Sequence, residues 1–92
     1  MTHNVIDNTD KGRYELMIDG QTVFANYRID GDTLFINYVE SPEALRGSGA
    51  AGHLMEGIMR IAKAENLQIV PICGYAGSWI RRHPEHQDLL KA

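Results

Sequence analysis

Two Asp-Gly pairs, Asp19-Gly20 and Asp30-Gly31, punctuate three apolar-rich runs in the first half of the chain. A two-residue connection of this kind needs backbone with positive φ, which glycine adopts freely and aspartate tolerates, and its twist matches that of paired strands. The runs at 13–18, 22–29 and 33–39 are rich in Tyr, Phe, Val, Ile, Leu and Thr, residues that suit a pleated, half-buried surface. Residues 13–39 are therefore read as an antiparallel meander. In its middle strand Val23, Ala25, Tyr27 and Ile29 share one face, and Phe24, Asn26 and Arg28 share the other.

The alternation stops at Ser41-Pro42-Glu43. Beyond it Ala51, Leu54, Met55, Ile58 and Ala62 recur at the spacing of one amphipathic helix face. That helix is predicted over 49–65, with Asn66 as its C-cap. Residues 68–73 read as a further strand, in which Pro71 marks a bulge or an edge strand leaving its neighbour. A second helix is predicted over 75–82, stopped by Pro84, and a last helical turn over 86–91. Trp79, Tyr75 and the Met55/Met59 pair read most simply as core packing.

Strand 33–39, helix 49–65 and strand 68–73 form a βαβ unit, which makes its two strands parallel and its crossover right-handed. The expected fold class is α/β (α+β): a mixed sheet built from an antiparallel β-meander, followed by the βαβ unit and a C-terminal helix. Residues 1–12 read as a loose N-terminal arm or a short edge strand.

With 92 residues the chain has room for one domain, 1–92, and buries only roughly 60–65% of its unfolded surface. Apolar residues at 43% and charged residues at 23% exclude a disordered chain. No apolar run approaches the ~20 residues of a membrane span, and Met1-Thr2-His3-Asn4 does not open a signal peptide. A soluble cytoplasmic protein without a membrane partner is expected, as a monomer or weak dimer. A single cysteine, Cys73, excludes an internal disulfide and a cysteine-based zinc site. No metal is expected: Pro84 interrupts His83-x-x-His86, which reads as surface or capping histidines.

The net charge of −3 argues against a nucleic-acid partner, whose footprint is basic and clustered. The charge is uneven, however. Residues 1–45 hold eight acids and three bases, and residues 46–92 hold four acids and six bases, so a small anion is better received by the second half.

Arg46-Gly47-Ser48-Gly49-Ala50-Ala51-Gly52 lies between the meander and the main helix. Free N–H groups at a helix N-terminus, backed by the helix dipole, form an anion site of the kind phosphate occupies. Glycines serving turn geometry alone are the structural alternative. Gly47-x-Gly49-x-x-Gly52 also satisfies the dinucleotide fingerprint as a string, but not in context. The loop does not follow its strand directly, and no acid occurs between Asn66 and Pro84 to answer a ribose. A nucleotide P-loop is excluded because no Gly-Lys-Ser/Thr follows.

Arg46-x-x-Gly49-x-Ala51 resembles the Gln/Arg-x-x-Gly-x-Gly/Ala signature of the GCN5-related N-acetyltransferase superfamily. With the run from Ser41 to Ala51, Val70-Pro71-Ile72-Cys73, Trp79-Ile80 and His83-Pro84-Glu85, the chain is similar to the small YjdJ-type branch over about residues 13–90. The resemblance implies an acetyl-CoA-binding N-acetyltransferase. The backbone of Val39, Glu40 and Ser41 would pair with the pantetheine arm in a V between splayed strands. Arg46, Gly47, Ser48, Gly49, Ala50 and Ala51 would hold the pyrophosphate. Three side chains become catalytic candidates: Glu40 as the base for the amine or simply an exposed strand-end acid, Cys73 as an acetyl acceptor or pocket wall, and Tyr75 as the acid for the departing thiolate or a packing residue.

Arg81 and Arg82 either face solvent or reach the adenosine phosphate. The branch commonly carries His-Thr where this chain has Tyr38-Val39, Val where it has Ser41, and Pro where it has Gly74. The implied partners are acetyl-CoA and an amine acceptor of unknown identity. The alternative is a non-enzymatic module binding acyl-CoA or a protein partner.

Overall fold

The Asp-Gly pairs turn the chain as their composition demands. In the computed structural model, which describes residues 4–91, Asp19 and Gly20 both have positive φ (51° and 75°), and Gly31 has φ 62°. They join β2 (Arg13–Ile18) to β3 (Gln21–Asp30) and β3 to β4 (Thr33–Glu40) as antiparallel neighbours. Of the two readings of the N-terminal arm, the edge strand forms: β1 (Ile6–Asn8) pairs antiparallel with β2. It is tied further in by Tyr27, whose ring stacks on Tyr14 at 4.2 Å and whose hydroxyl donates to Asp7 at 2.5 Å.

Helix α1 (Ala50–Ala64) crosses to β5 (Gln68–Pro71), which lies parallel to β4. The sheet order is β1-β2-β3-β4-β5, the mixed sheet expected from the element order. Helix α2 (Gly74–Arg81) and a 3₁₀ segment at Pro84–Leu89 follow. The final stretch is not helical throughout: Leu90 bridges to Ile69 and the Lys91 N–H donates to the Ile69 carbonyl at 2.9 Å, so the C-terminal end covers the outer edge of β5.

The helix ends one residue ahead of the expected cap: Glu65 is the C-cap and Asn66 the residue after it. Asn66 adopts φ 57°; the Leu67 N–H bonds the Ala62 carbonyl at 2.8 Å and the Asn66 N–H bonds that of Lys63 at 3.3 Å. These two bonds satisfy carbonyls the last turn would leave orphaned.

The apolar face of α1, with Leu54, Met55, Ile58, Met59 and Ala62 buried, packs on Tyr14, Leu16, Val23, Ala25, Leu34 and Ile36 of the sheet. Each fully buried large side chain contributes about 1.5–3 kcal/mol. Gly57 is the closest approach: a Cβ there would stand 2.1 Å from Val5 Cγ2, so the segment before β1 rests directly on helix backbone. On the other face, guanidinium groups cover half-buried rings, Arg13 over Phe24 at 4.3 Å and Arg28 over Phe35 at 4.2 Å. Trp79, Met55 and Met59 join the core as expected, but Tyr75 does not: it remains 37% exposed.

Among the described residues no helix is long and apolar enough to cross a membrane.

Candidate functional site

The site begins with a register change. Tyr27 pairs with Ile36 and Asn26 with Tyr38, which leaves Asn37 as one extra residue in β4. Such a bulge reverses which side chains face the core. Before it, Leu34 and Ile36 point inward and are fully buried. After it, Val39 lies opposite buried Ala25, while Tyr38 and Glu40 lie opposite Asn26 and Phe24 on the other face.

The parallel ladder ends at the same place. Ile36 with Pro71 is the last β4–β5 pair. The N–H groups of Ile72 and Cys73 then both donate to the Ile36 carbonyl at 3.0 Å, and β5 gives way to α2. Pro71 thus marks the departure of an edge strand, and the bulge lies in β4 instead. The end of β4 stays paired with β3 but continues without a strand on its other side, and a cleft of about 390 Å³ opens there.

The start of α1 forms the cleft's second wall. A 3₁₀ turn at Glu43–Leu45 anchors Leu45, which is 7% exposed, and positions the glycine loop. Gly47 and Gly49 have φ 83° and 84°, a region closed at low cost to other residues. An added Cβ at either would meet nothing within 4 Å, so these glycines serve conformation and open space, not tight packing. Ser48 closes the turn: its hydroxyl donates to the Leu45 carbonyl at 2.5 Å and accepts the Ala50 N–H at 3.3 Å. The His53 N–H is the first to find a helical partner, the Gly49 carbonyl at 3.0 Å. Ala51 and Gly52, in the first helical turn, therefore hold their N–H groups outside the i→i−4 ladder and beside the cleft.

Tyr38, Glu40 and Arg46 meet at the rim. The Tyr38 hydroxyl donates to Glu40 Oε1, and Arg46 Nη2 stands 3.9 Å from Glu40 Oε2. The hydrogen bond to Glu40 and its negative charge push the Tyr38 hydroxyl above the ordinary phenol value. Tyr75 faces the same cleft; burial raises its hydroxyl too, Cys73 adds to the shift and Arg82 opposes it. Both phenols are therefore protonated at neutral pH. The Ser41 hydroxyl is buried on the cleft wall without a hydrogen-bond partner, a state that costs about 1–3 kcal/mol unless something fills it.

Val39, Glu40, Ser41, Arg46, Gly47, Gly49, Ala50, Ala51 and Tyr75 all line this one cleft. Ser48 stands behind the loop as its brace. Cys73 is half-buried at the N-cap of α2 and is not among the cleft walls. Tyr38, Leu45 and Gly52 line it as well, and sequence reasoning assigned them no site role. The signal for Gly52 was its place in the glycine string, and for Tyr38 its departure from the branch's histidine. Arg82 Nη1 donates to Ser78 at 3.4 Å along the helix.

Of the two histidines, His83 takes the expected capping role and His86 departs from expectation. His83 caps α2 by bonding the Trp79 carbonyl at 2.7 Å. His86 is not a surface residue: it is 8% exposed, its ring lies 5.7 Å from that of Trp79, and its Nε2 is 3.3 Å from both Glu56 oxygens. With Glu85 these two groups bring their ligand-type atoms within 4.8 Å of one another, and the pairing with Glu56 holds the C-terminal segment to α1.

A bulged β4, a splayed β5 and a glycine-rich helix start between them define an acetyltransferase-type α/β fold. The same architecture occurs in the solution structure of a GCN5-like protein from Staphylococcus aureus, with a TM-score of 0.70 at 17% identity, over 97% of this chain and 88% of that one. Residues 13–89 match the family model for GCN5-related N-acetyl-transferase. The chain belongs to the GCN5-related N-acetyltransferase family. No curated protein matches the sequence.

Proposed function

We propose that this chain binds acetyl-CoA in the cleft and transfers its acetyl group to an amine. The observation that carries the reading is the convergence, on one opening, of the edge of β4 that β5 has left and the free N–H groups at the start of α1. Family membership supplies the acetyl-transfer chemistry. The pyrophosphate sits against the loop from Arg46 to Gly52, where backbone N–H groups and the helix dipole favour an anion. The pantetheine arm runs along Val39, Glu40 and Ser41, and the buried Ser41 hydroxyl gives one of its amide groups a partner.

In the reaction the amine nitrogen attacks the thioester carbon, the C–S bond breaks, and the nitrogen loses a proton. Glu40 accepts that proton. A β4 N–H steadies the oxyanion. Tyr75, held protonated, donates to the sulfur as it leaves. Cys73 lies outside the cleft walls, which favours direct transfer over an acetyl-cysteine intermediate.

The test is release of free CoA thiol from acetyl-CoA across a panel of primary amines. Amine-dependent release is expected, falling about 10²–10⁴-fold in Glu40→Gln and persisting in Cys73→Ala. Loss of activity in Cys73→Ala with an acetyl adduct on the wild-type protein would replace direct transfer by a double displacement. Binding without release for any amine would replace the enzyme by an acyl-CoA-binding module.

A further inference from the structure

Glu40 is held from two sides by groups of different mobility. Tyr38 lies two residues away on the same face of the same strand, so its hydrogen bond to Oε1 is fixed by the sheet. Arg46 comes from the loop, its side chain is 68% exposed, and at 3.9 Å it makes a loose ion pair with Oε2. Loose, exposed pairs of this kind are weak. The guanidinium also belongs to the loop whose amides face the anion site, and a diphosphate there offers pairs of charged oxygens that its planar fork can engage bidentately.

We infer that Arg46 is shared between Glu40 and the incoming diphosphate, so that cofactor binding strips the ion pair from Glu40 and leaves its carboxylate held by Tyr38 alone. The inference rests on the proposed acetyl-CoA reading and adds a coupling to it. In the empty cleft Arg46 stands against Glu40 Oε2. Once the diphosphate takes Arg46, Oε2 loses that neighbour and is left open to the acceptor amine. Tyr38 is then a positioning residue: it keeps the freed carboxylate at the cleft rim. Oε2 of Glu40 is thus opened to the amine only when the acetyl donor is present.

Competition for Arg46 has a signature that simple charge repulsion lacks. Calorimetric titration with CoA at fixed low ionic strength is run on the wild-type chain, Glu40→Gln, Arg46→Gln and the double variant, with thermal unfolding to confirm that each is folded. Removing the competitor in Glu40→Gln should tighten CoA binding about two- to five-fold, the scale of an exposed ion pair. In the Arg46→Gln background the same substitution should change nothing. Equal tightening in both backgrounds would show that Glu40 merely repels the phosphates and would overturn the coupling. No tightening in either would overturn it as well. Failure of the wild-type chain to bind CoA at all would instead remove the acetyl-CoA reading on which the coupling stands.

Discussion

Gly49→Val is expected to lower affinity for CoA about 100-fold or more while leaving a folded protein. Gly49 is the N-cap of α1 with φ 84° and ψ 7°, where a β-branched residue is a strong outlier. Forcing an L-residue into that region costs roughly 1–2 kcal/mol, which corresponds to a fall in Tm of roughly 5–15 °C for a domain of this size. The larger consequence is for the ligand. The chain relieves the strain by turning the loop, and the free N–H groups of Ala51 and Gly52 are then no longer aimed together at the anion. Losing two charge-assisted hydrogen bonds at about 1.5–3 kcal/mol each accounts for a factor of about 100 or more. Gly49→Asn separates the two effects, because asparagine tolerates left-handed backbone; it should recover most of the stability and only part of the binding. Wild-type affinity in Gly49→Val, measured by calorimetry, would contradict the role given to the loop.

The largest loss of stability is expected at Trp79. The side chain is 4% exposed and stacks on His83 at 3.8 Å. Its indole Nε1 lies 3.4 Å from where a Gly52 Cβ would stand. It therefore fills the space between α2, the C-terminal 3₁₀ segment and the first turn of α1. Trp79→Ala removes the ring and leaves a void that rigid helix backbone cannot close, a change that costs about 3–5 kcal/mol. Against a total of about 5–15 kcal/mol for a natural domain, this is a large share, and Tm should fall by roughly 15–30 °C. Because Gly52 also lines the cleft, the folded fraction should bind CoA more weakly. Urea unfolding measures the first effect; a loss below about 1 kcal/mol would show that Trp79 does not brace the start of α1.

Most of the framework is legible in the residues themselves, because local chemistry sets it. Asp19-Gly20 and Asp30-Gly31 make their turns by backbone preference, Asn66 ends α1 by adopting left-handed backbone, and the apolar spacing from Ala51 to Ala62 yields a helix whose bounds differ by one residue at each end. The parallel pairing of β4 and β5 follows from the connection between them. The glycine loop is legible as an anion site for the same reason: its amides act through backbone, and glycine reports backbone directly.

What stays hidden depends on pairing across the chain. The bulge at Asn37 is a mismatch in count between β3 and β4, and neither strand signals it alone. Without it Tyr38 and Glu40 would face the core, so their meeting with Arg46 could not be read from alternation. Tyr75 illustrates the same limit. Its spacing to Trp79 fits one helix face, but β5 ends early and leaves the first residues of α2 at the cleft mouth, where an aromatic side chain stays half-exposed. His86 looked like a surface residue because Pro84 breaks the helix, yet the 3₁₀ segment folds it back against Trp79 and Glu56.

The proposed function puts acetyl-CoA in one cleft, between the splayed end of β4 and the start of α1. Amide chemical-shift mapping during titration of the wild-type chain with CoA locates the bound ligand. Saturable shifts are expected at Val39, Glu40, Ser41 and the loop from Arg46 to Gly52, with β1 and β2 unmoved. No shift at millimolar CoA, or shifts centred away from that cleft, would contradict it.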